Sequence, residues 1–297
     1  MVAMLGNGAS RSFDGTGKPD LLVRVGETGE VFVLPHSGAF AGSATFSEPV
    51  LIARDMGWQT FGFVRALDNG DGLAGVLAFS LEQINPGVDG EHGLFLFPNT
   101  GGLRGLDTLG APVRISGKRD DGRLWETVGM ADISGNGADD TFSRGWDGTN
   151  VDWFPHTGTV VPNDTYDKTP HRLTEVAVDD FPLAMADFTG NGTLDLLVRR
   201  ADGDLDLFVF ADGHDLAHSL EAGEGTWYTV GRGWDAYRHI TLSDVDLDGT
   251  PDLLAVDGEG ALLAFRNTGK LLPGAAEDLF QEPVTIGEGF QRYDVVC

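Results

Sequence analysis

Asp244-Val245-Asp246-Leu247-Asp248-Gly249-Thr250-Pro251-Asp252 runs directly into the apolar stretch Leu253-Leu254-Ala255-Val256, and the same pattern returns four more times along 297 residues. The other copies are Asp187-Phe-Thr189-Gly-Asn191-Gly192-Thr-Leu-Asp195, Asp132-Ile-Ser134-Gly-Asn136-Gly137-Ala-Asp-Asp140, Ser12-Phe-Asp14-Gly-Thr16-Gly17-Lys-Pro-Asp20 and a degenerate Leu67-Asp-Asn69-Gly-Asp71-Gly72-Leu-Ala-Gly75. Their shared glycines, Gly17, Gly72, Gly137, Gly192 and Gly249, are spaced by 55, 65, 55 and 57 residues. A period of that size marks a repeat architecture, in which each unit buries its faces against its neighbours. The repeat loops near 12–20, 67–75, 132–140, 187–195 and 244–252 occupy the chain from end to end, so 1–297 is expected to form a single domain.

Between the loops, short Val/Leu/Phe runs alternate with Gly/Asp/Asn turns, and 43 glycines leave little room for long amphipathic helices. That is an all-β pattern. Four strands are expected per period. One precedes the loop (Thr60–Ala66, Thr127–Ala131, Leu183–Ala186, His239–Ser243), and one follows it (Leu21–Val25, Val76–Phe79, Thr141–Ser143, Leu196–Arg199, Leu253–Val256). A third is aromatic-rich (Val31–Leu34, Leu94–Phe97, Val151–Phe154, Leu207–Phe210, Leu262–Phe265). A fourth leads to the next glycine-aromatic turn (Pro49–Ala53, Pro112–Ile115, Leu173–Val178, Trp227–Val230, Pro283–Ile286). Four antiparallel strands repeated radially make a β-propeller, which leaves only short edges.

The loop pattern Asp-x-[Asp/Ser/Thr]-x-[Asp/Asn]-Gly-x-x-Asp-Leu-Leu resembles the FG-GAP/VCBS repeat of integrin-α-type propellers. The flanking Pro35-His-Ser-Gly38, Pro98-Asn-Thr-Gly101, Pro155-His-Thr-Gly158 and Arg266-Asn-Thr-Gly269 are similar to its bacterial branch. That family often has seven blades; five repeats of about 55 residues predict five here. Gly289-Phe-Gln-Arg-Tyr293-Asp-Val-Val-Cys297 aligns with Gly233-Trp-Asp-Ala-Tyr237-Arg-His-Ile-Thr241, so it reads as the first strand of a blade whose other three strands follow the loop at 12–20. This segment is expected to close the ring inside the first blade, with Met1–Leu5 placed beside it.

The formal charge is −26, from 20 basic and 46 acidic residues, which repels phosphate backbones and anionic membranes alike. Nucleic acid is thus an unsuited partner, and no run reaches the length of a membrane helix, so no insertion is expected. The single cysteine, Cys297, allows no intramolecular disulfide. Met1-Val-Ala-Met-Leu-Gly does not resemble a secretory signal. A cytoplasmic address follows if Met1 is the natural start, a secreted one if a leader has been removed. A monomer is expected.

Alternating oxygen-bearing positions around a glycine turn suit calcium, which takes six to eight oxygens. Asp244, Asp246, Asp248 and Asp252 form the richest set; Asp187, Thr189, Asn191 and Asp195, then Asp132, Ser134, Asn136 and Asp140, are poorer, and Asp14, Thr16 and Asp20 poorer still. The competing reading is that these side chains only cap turns. The resemblance implies a structural role for any calcium, as a tie between strands, and no organic cofactor.

On the opposite rim, glycine-aromatic turns bring Trp58, Trp125, Phe181, Trp234 and Phe290 into register, with Tyr237 and Tyr293 nearby, Trp146 in a neighbouring loop, and Arg238, His239, Asp180, Glu126, Arg292 and Asp294 as polar company. Aromatic walls with a few polar groups suit a small molecule or glycan; the competing reading is that the same aromatics wedge one blade against the next. Leu81–His92 is an insertion on this rim, a lid or a neutral excursion. No nucleophile elbow, zinc motif, phosphate loop or dinucleotide fingerprint is present. His36 and His156 hold equivalent repeat positions, which favours a structural role. Two functions remain: a binding module with one asymmetric site at the channel mouth, or a cofactor-independent cyclase or isomerase, pericyclic reactions included, of bacterial secondary-metabolite biosynthesis. For the latter, His239, Tyr237, Tyr293, Glu126 and Asp180 are the catalytic candidates. Lectins usually repeat their site in every blade, whereas the mouth positions here differ from repeat to repeat.

Overall fold

The computed structural model describes residues 11–55, 57–80, 93–116, 127–144, 148–211, 215–217, 221–272 and 274–297. It is a five-bladed β-propeller. Blade 1 holds β1 (Leu21–Val25), β2 (Val31–Leu34) and β3 (Val50–Ala53); blade 2 holds β4 (Phe61–Asp68), β5 (Ala74–Ser80), β6 (Gly93–Phe97) and β7 (Val113–Ser116). Blade 3 holds β8 (Thr127–Ala131), β9 (Asp140–Arg144), β10 (Asn150–Phe154) and β11 (His171–Glu175). Blade 4 holds β12 (Phe181–Ala186), β13 (Asp195–Arg199), β14 (Leu205–Phe210) and β15 (Gly225–Gly231), and blade 5 holds β16 (His239–Ser243), β17 (Asp252–Val256), β18 (Leu262–Phe265) and β19 (Val284–Gly287). The remaining strand, β20 (Tyr293–Val296), joins β1 to complete blade 1.

The apolar run after each loop makes the ring. Successive side chains of a strand point to opposite faces, so Leu253 and Ala255 enter the core shared with blade 4, while Leu254 and Val256 enter the core shared with blade 1. Leu196 and Val198 face blade 3 in the same way, and Leu197 faces blade 5. Five hydrophobic cores result, one between each pair of neighbouring blades, including the pair formed by blades 5 and 1. A sheet buried on both faces reads as a continuous hydrophobic run, which is why alternation is faint in these strands.

Closure is made by chain ends far apart in sequence. Val296 and Val295 pair with Val23 and Arg24. Leu22 and Cys297 exchange both backbone hydrogen bonds, at 2.7 and 2.9 Å. Arg24 clamps Asp294 with Nε–H at 2.9 Å and a second donor at 2.6 Å, and its remaining nitrogen donates to the carbonyls of Trp58 and Phe61. One buried guanidinium thus ties β1, β20 and the entry to blade 2. Met1–Leu5 lie outside the described residues.

Side chains beyond the third strands tie blades together. His36 Nε2–H donates to the Val245 carbonyl at 2.9 Å while Nδ1 accepts the Gly38 N–H, which fixes its tautomer. Asn99 and Asn267 donate to the carbonyls of Phe13 and Phe188, each at 3.0 Å. Phe13, Phe188 and Val245 hold the same position in three successive acidic loops, so one contact recurs with either His or Asn as donor.

The outer strands depart most from expectation. β11 begins at His171 and ends at Glu175, earlier than Leu173–Val178, because the chain turns where Asp180 N–H meets the Ala177 carbonyl at 3.0 Å. The insertion 81–92 lies outside the described residues.

Candidate functional site

The inner strands β4, β8, β12, β16 and β20 line a channel that runs from one mouth, where aromatic turns enter β4, β16 and β20, to the acidic-loop rim. At that loop rim, the last aspartate of the pattern is a buried staple. Asp20 accepts the N–H of Phe13 (2.7 Å) and of His36 (2.9 Å); Asp140 accepts those of Ser134 and His156, both at 2.6 Å; Asp252 accepts those of Val245 (3.0 Å) and Asn267 (2.7 Å). Asp195 takes the N–H groups of Phe188 and Thr189. The first aspartate is a turn cap: Asp132, Asp187 and Asp244 accept the N–H of Gly137, Gly192 and Gly249, and Ser12 does the same for Gly17. Asp14 likewise caps Thr16, and Asn136 and Asn191 accept the N–H two residues on. Turn capping therefore accounts for much of the pattern.

Capping leaves specific atoms over. Burial pushes Asp20 up to about 6, Asp140 and Asp195 to about 7, and Asp252 to about 8, against the N–H bonds that pull each down. Oδ1 of Asp244, Oδ1 of Asp195 and Oγ1 of Thr189 are buried without a hydrogen-bond partner. Oxygens of Asp244, Asp246 and Asp252 lie within 4.8 Å of one another, the only such group among the described residues. Asp248 stands apart and caps Thr250 N–H at 2.8 Å. Arg266 reaches Asp246 at 3.5 Å and neutralises part of the charge. This loop also carries Leu247 at φ 63°, where the other four have glycine (Gly15, Gly70, Gly135, Gly190). A left-handed leucine costs about 1–2 kcal/mol, so backbone strain and unsatisfied carboxylate charge coincide in one copy of five.

At the opposite mouth the aromatics divide. Gly57, Gly233 and Gly289, each left-handed at φ 70–82°, open single 3-10 turns that drive Trp58, Trp234 and Phe290 between blades, where they are 1%, 4% and 5% exposed. Trp58 packs against Phe61 and Phe97, and Trp234 against Tyr237 and Phe265. Tyr293 is buried against Phe290 and takes a hydrogen bond from Arg292. These side chains are wedges behind the mouth rather than its surface. Phe181 differs: no glycine turn precedes it, and it is 43% exposed. Trp125, Glu126 and Trp146 lie outside the described residues.

Phe181 forms part of a cavity of about 290 Å³ at this mouth, with His239, Ile240 and Arg238 from blade 5, Leu183 and Arg199 from blade 4, Val64 and Arg65 from blade 2, and Arg24, Asp294 and Val295 from blade 1. Further along, the channel narrows to about 60 Å³ beside Arg11, Met130, Leu242 and Cys297. A larger depression of about 460 Å³ sits outside blade 3 over Asp152 and Arg172; it is open, and those two side chains pair with each other at 3.3 Å. The mouth, where four blades converge, is the better-formed site.

β-Bulges shape it. Pairing slips by one residue at Gly62 in β4, at Val128 in β8, at Leu183 in β12 and at Asp294 in β20, whereas β16 pairs with β17 without a slip. Bulges re-aim side chains next to sites, and Gly62, Leu183 and Asp294 all line the cavity. In blade 5 the unslipped strand presents His239, whose Nε2 meets the Tyr293 carbonyl at 3.2 Å. Burial lowers the His239 pKa, and the nearby charges of Arg238 and Arg65 lower it further, so the ring is neutral at pH 7. Of the catalytic candidates among the described residues, only His239 lines the cavity. Burial and the charge of Asp257 raise the Tyr237 pKa. Asp180 is engaged by Arg200 at 2.7 Å; burial pushes its carboxyl up, yet hydrogen bonds from Arg200 and backbone N–H groups outweigh that and leave it below the usual range.

Sequence reasoning missed Arg24, Arg65 and Arg199. Each is a charge inside or at the end of a largely buried strand, and that incongruity was the available signal. No protein-family model matches the chain, and no curated protein matches it in sequence.

Proposed function

We propose that this protein is a calcium-stabilised β-propeller with one asymmetric small-molecule or glycan site at the channel mouth. The observation that carries the site is the divergence of the mouth: four of the five blades present different side chains around a single cavity, and those blades differ even in their bulges. A site repeated in every blade would hold the same residues five times. The calcium reading is supported by the three gathered carboxylates of the Asp244 loop and the unpartnered Asp244 Oδ1, since a cation supplies what that buried oxygen lacks. The same loop capped only by hydrogen bonds would have no reason to retain a left-handed leucine.

A second reading is favoured by one residue. His239, neutral and set in the wall of a cavity with apolar faces, gives its Nε2–H to the Tyr293 carbonyl and keeps Nδ1 as an acceptor, so it is placed to take up a proton, as a cofactor-independent cyclase or isomerase would require.

Thermal melting in calcium against chelator, with the Asp246→Asn variant alongside, tests the metal. Saturating calcium at about 100 times its dissociation constant stabilises by about 2.7 kcal/mol, and Asp246→Asn is expected to remove most of that gain. Equal melting in calcium and chelator would sink the calcium reading. Small-molecule fragments followed by NMR should perturb Phe181 and His239 together; perturbation confined to other surfaces would sink the site.

A further inference from the structure

The mouth reverses the charge of the molecule. The chain carries 20 basic and 46 acidic residues, yet the cavity lining holds Arg24, Arg65, Arg199 and Arg238 against one carboxylate, Asp294. That carboxylate is already committed, since Arg24 holds both of its oxygens. Among the described residues Arg199 and Arg238 make no ion pair; Arg199 sits 6.0 Å from the Phe181 ring centroid, and Arg238 donates to the Gln291 carbonyl at 3.4 Å. Both line the cavity, and no carboxylate of the described residues pairs with either.

Beside them the cavity offers Phe181, Leu183 and Ile240. We infer that the ligand of this mouth is a small organic anion whose carboxylate or phosphate is held by Arg199 and Arg238 while its compact apolar body lies against Phe181, Leu183 and Ile240. The inference rests on the mouth being the ligand site and adds the chemical class. Guanidinium forks match carboxylate and phosphate oxygens in pairs. A concave cleft lined by one sign of charge also concentrates the opposite ion, and low-dielectric walls focus its field. At the far rim, where carboxylates cluster, the same molecule would attract cations, so the two ends of the channel select ligands of opposite charge. A volume of about 290 Å³ suits a body of one or two fused rings.

The test uses three probes that share one aromatic body: 1-naphthoate, 1-naphthyl phosphate and uncharged 1-naphthamide. Each is titrated calorimetrically into the full chain at low salt, with the guanidinium Nε–H signals followed by NMR. At least one acid is expected to bind about tenfold tighter than the amide, with an advantage that shrinks as salt screens the charges. Whichever acid leads identifies the anionic group. Arg199→Gln and Arg238→Gln should each erase most of that advantage and leave the amide unchanged. Arg232→Gln, which removes a charge that is paired with Asp204 and Glu277 and lies outside the cavity lining, should alter nothing. Equal affinity for acids and amide at the mouth would overturn the anion class while sparing the site. Absence of any mouth perturbation by all three would overturn both.

Discussion

The two ends of the channel are made by the same five inner strands, yet one end repeats its chemistry in four blades and the other differs among the four blades described at the mouth. At the loop rim, Asp20, Asp140, Asp195 and Asp252 do one job, collecting backbone N–H groups from their own loop and, for Asp20, Asp140 and Asp252, from the third strand's exit. At the mouth, equivalent positions carry Thr60, Asp180, Tyr237 and Tyr293, and the strands slip in some blades and not in others. Uniformity across repeats marks what folding requires of each unit. Divergence marks where the ring as a whole meets something asymmetric.

The largest effect should come from the uniform side of the mouth, the buried wedges. Trp58 is 1% exposed and packs on two phenylalanines from blade 2 within a core shared by blades 1 and 2. Trp58→Ala is expected to cost about 4 kcal/mol by urea unfolding, within the range for large aromatic truncations. A cost below about 1 kcal/mol would mean the wedge is dispensable and would dissolve the division between wedge and wall.

The loop rim should show itself through pH. Burial raises Asp20, Asp140, Asp195 and Asp252 above the carboxylate value of 3.8 that the unfolded chain keeps. Between pH 4 and 8 the native state therefore binds more protons than the unfolded state, and stability falls as pH rises through that window. In chelator, the unfolding free energy is expected to drop by at least about 1 kcal/mol from pH 5 to pH 8. General repulsion among the acids has the same sign, so Asp252→Asn is the control: it should flatten the slope in chelator, and calcium should flatten it in the native sequence by holding the carboxylates ionised. A slope unchanged by either would show that the staples do not titrate.

The loop rim was legible in the sequence and the mouth was not, for a physical reason. Within the loops the chemistry is local: a carboxylate caps an N–H two to seven residues away, so spacing reveals it, while the bonds of Asp20, Asp140 and Asp252 to the third strand's exit lie 15 or 16 residues away. The strands β2, β16 and β18 fell within their expected bounds because apolar runs flanked by glycine turns leave no other choice. The closing strand β20 was readable from its likeness to the start of blade 5. Arg24, Arg65 and Arg199, by contrast, come from three blades and converge only when the ring is shut. The slips at Gly62, Leu183 and Asp294 depend on neighbouring strands and leave no mark in composition. Trp58, Trp234 and Phe181 share a register yet differ in fate, because left-handed glycines turn the first two inward and Asp180, bound by Arg200, stands where the third would need one.

Phe181 is thus the sharpest test and the smallest expected effect. It is 43% exposed, packs into none of the five cores and touches the solvent side of the cavity. Phe181→Ala should change stability by less than about 0.5 kcal/mol, as surface substitutions do. Because its ring forms one wall of the cavity, the same variant should weaken binding of any aromatic probe at the mouth severalfold, whatever its charge, which separates the apolar wall from the arginine forks. If Phe181→Ala destabilised the ring as Trp58→Ala should, the divergent mouth would be another set of wedges, and the contrast between the two ends would have to be read as two solutions to the same packing problem.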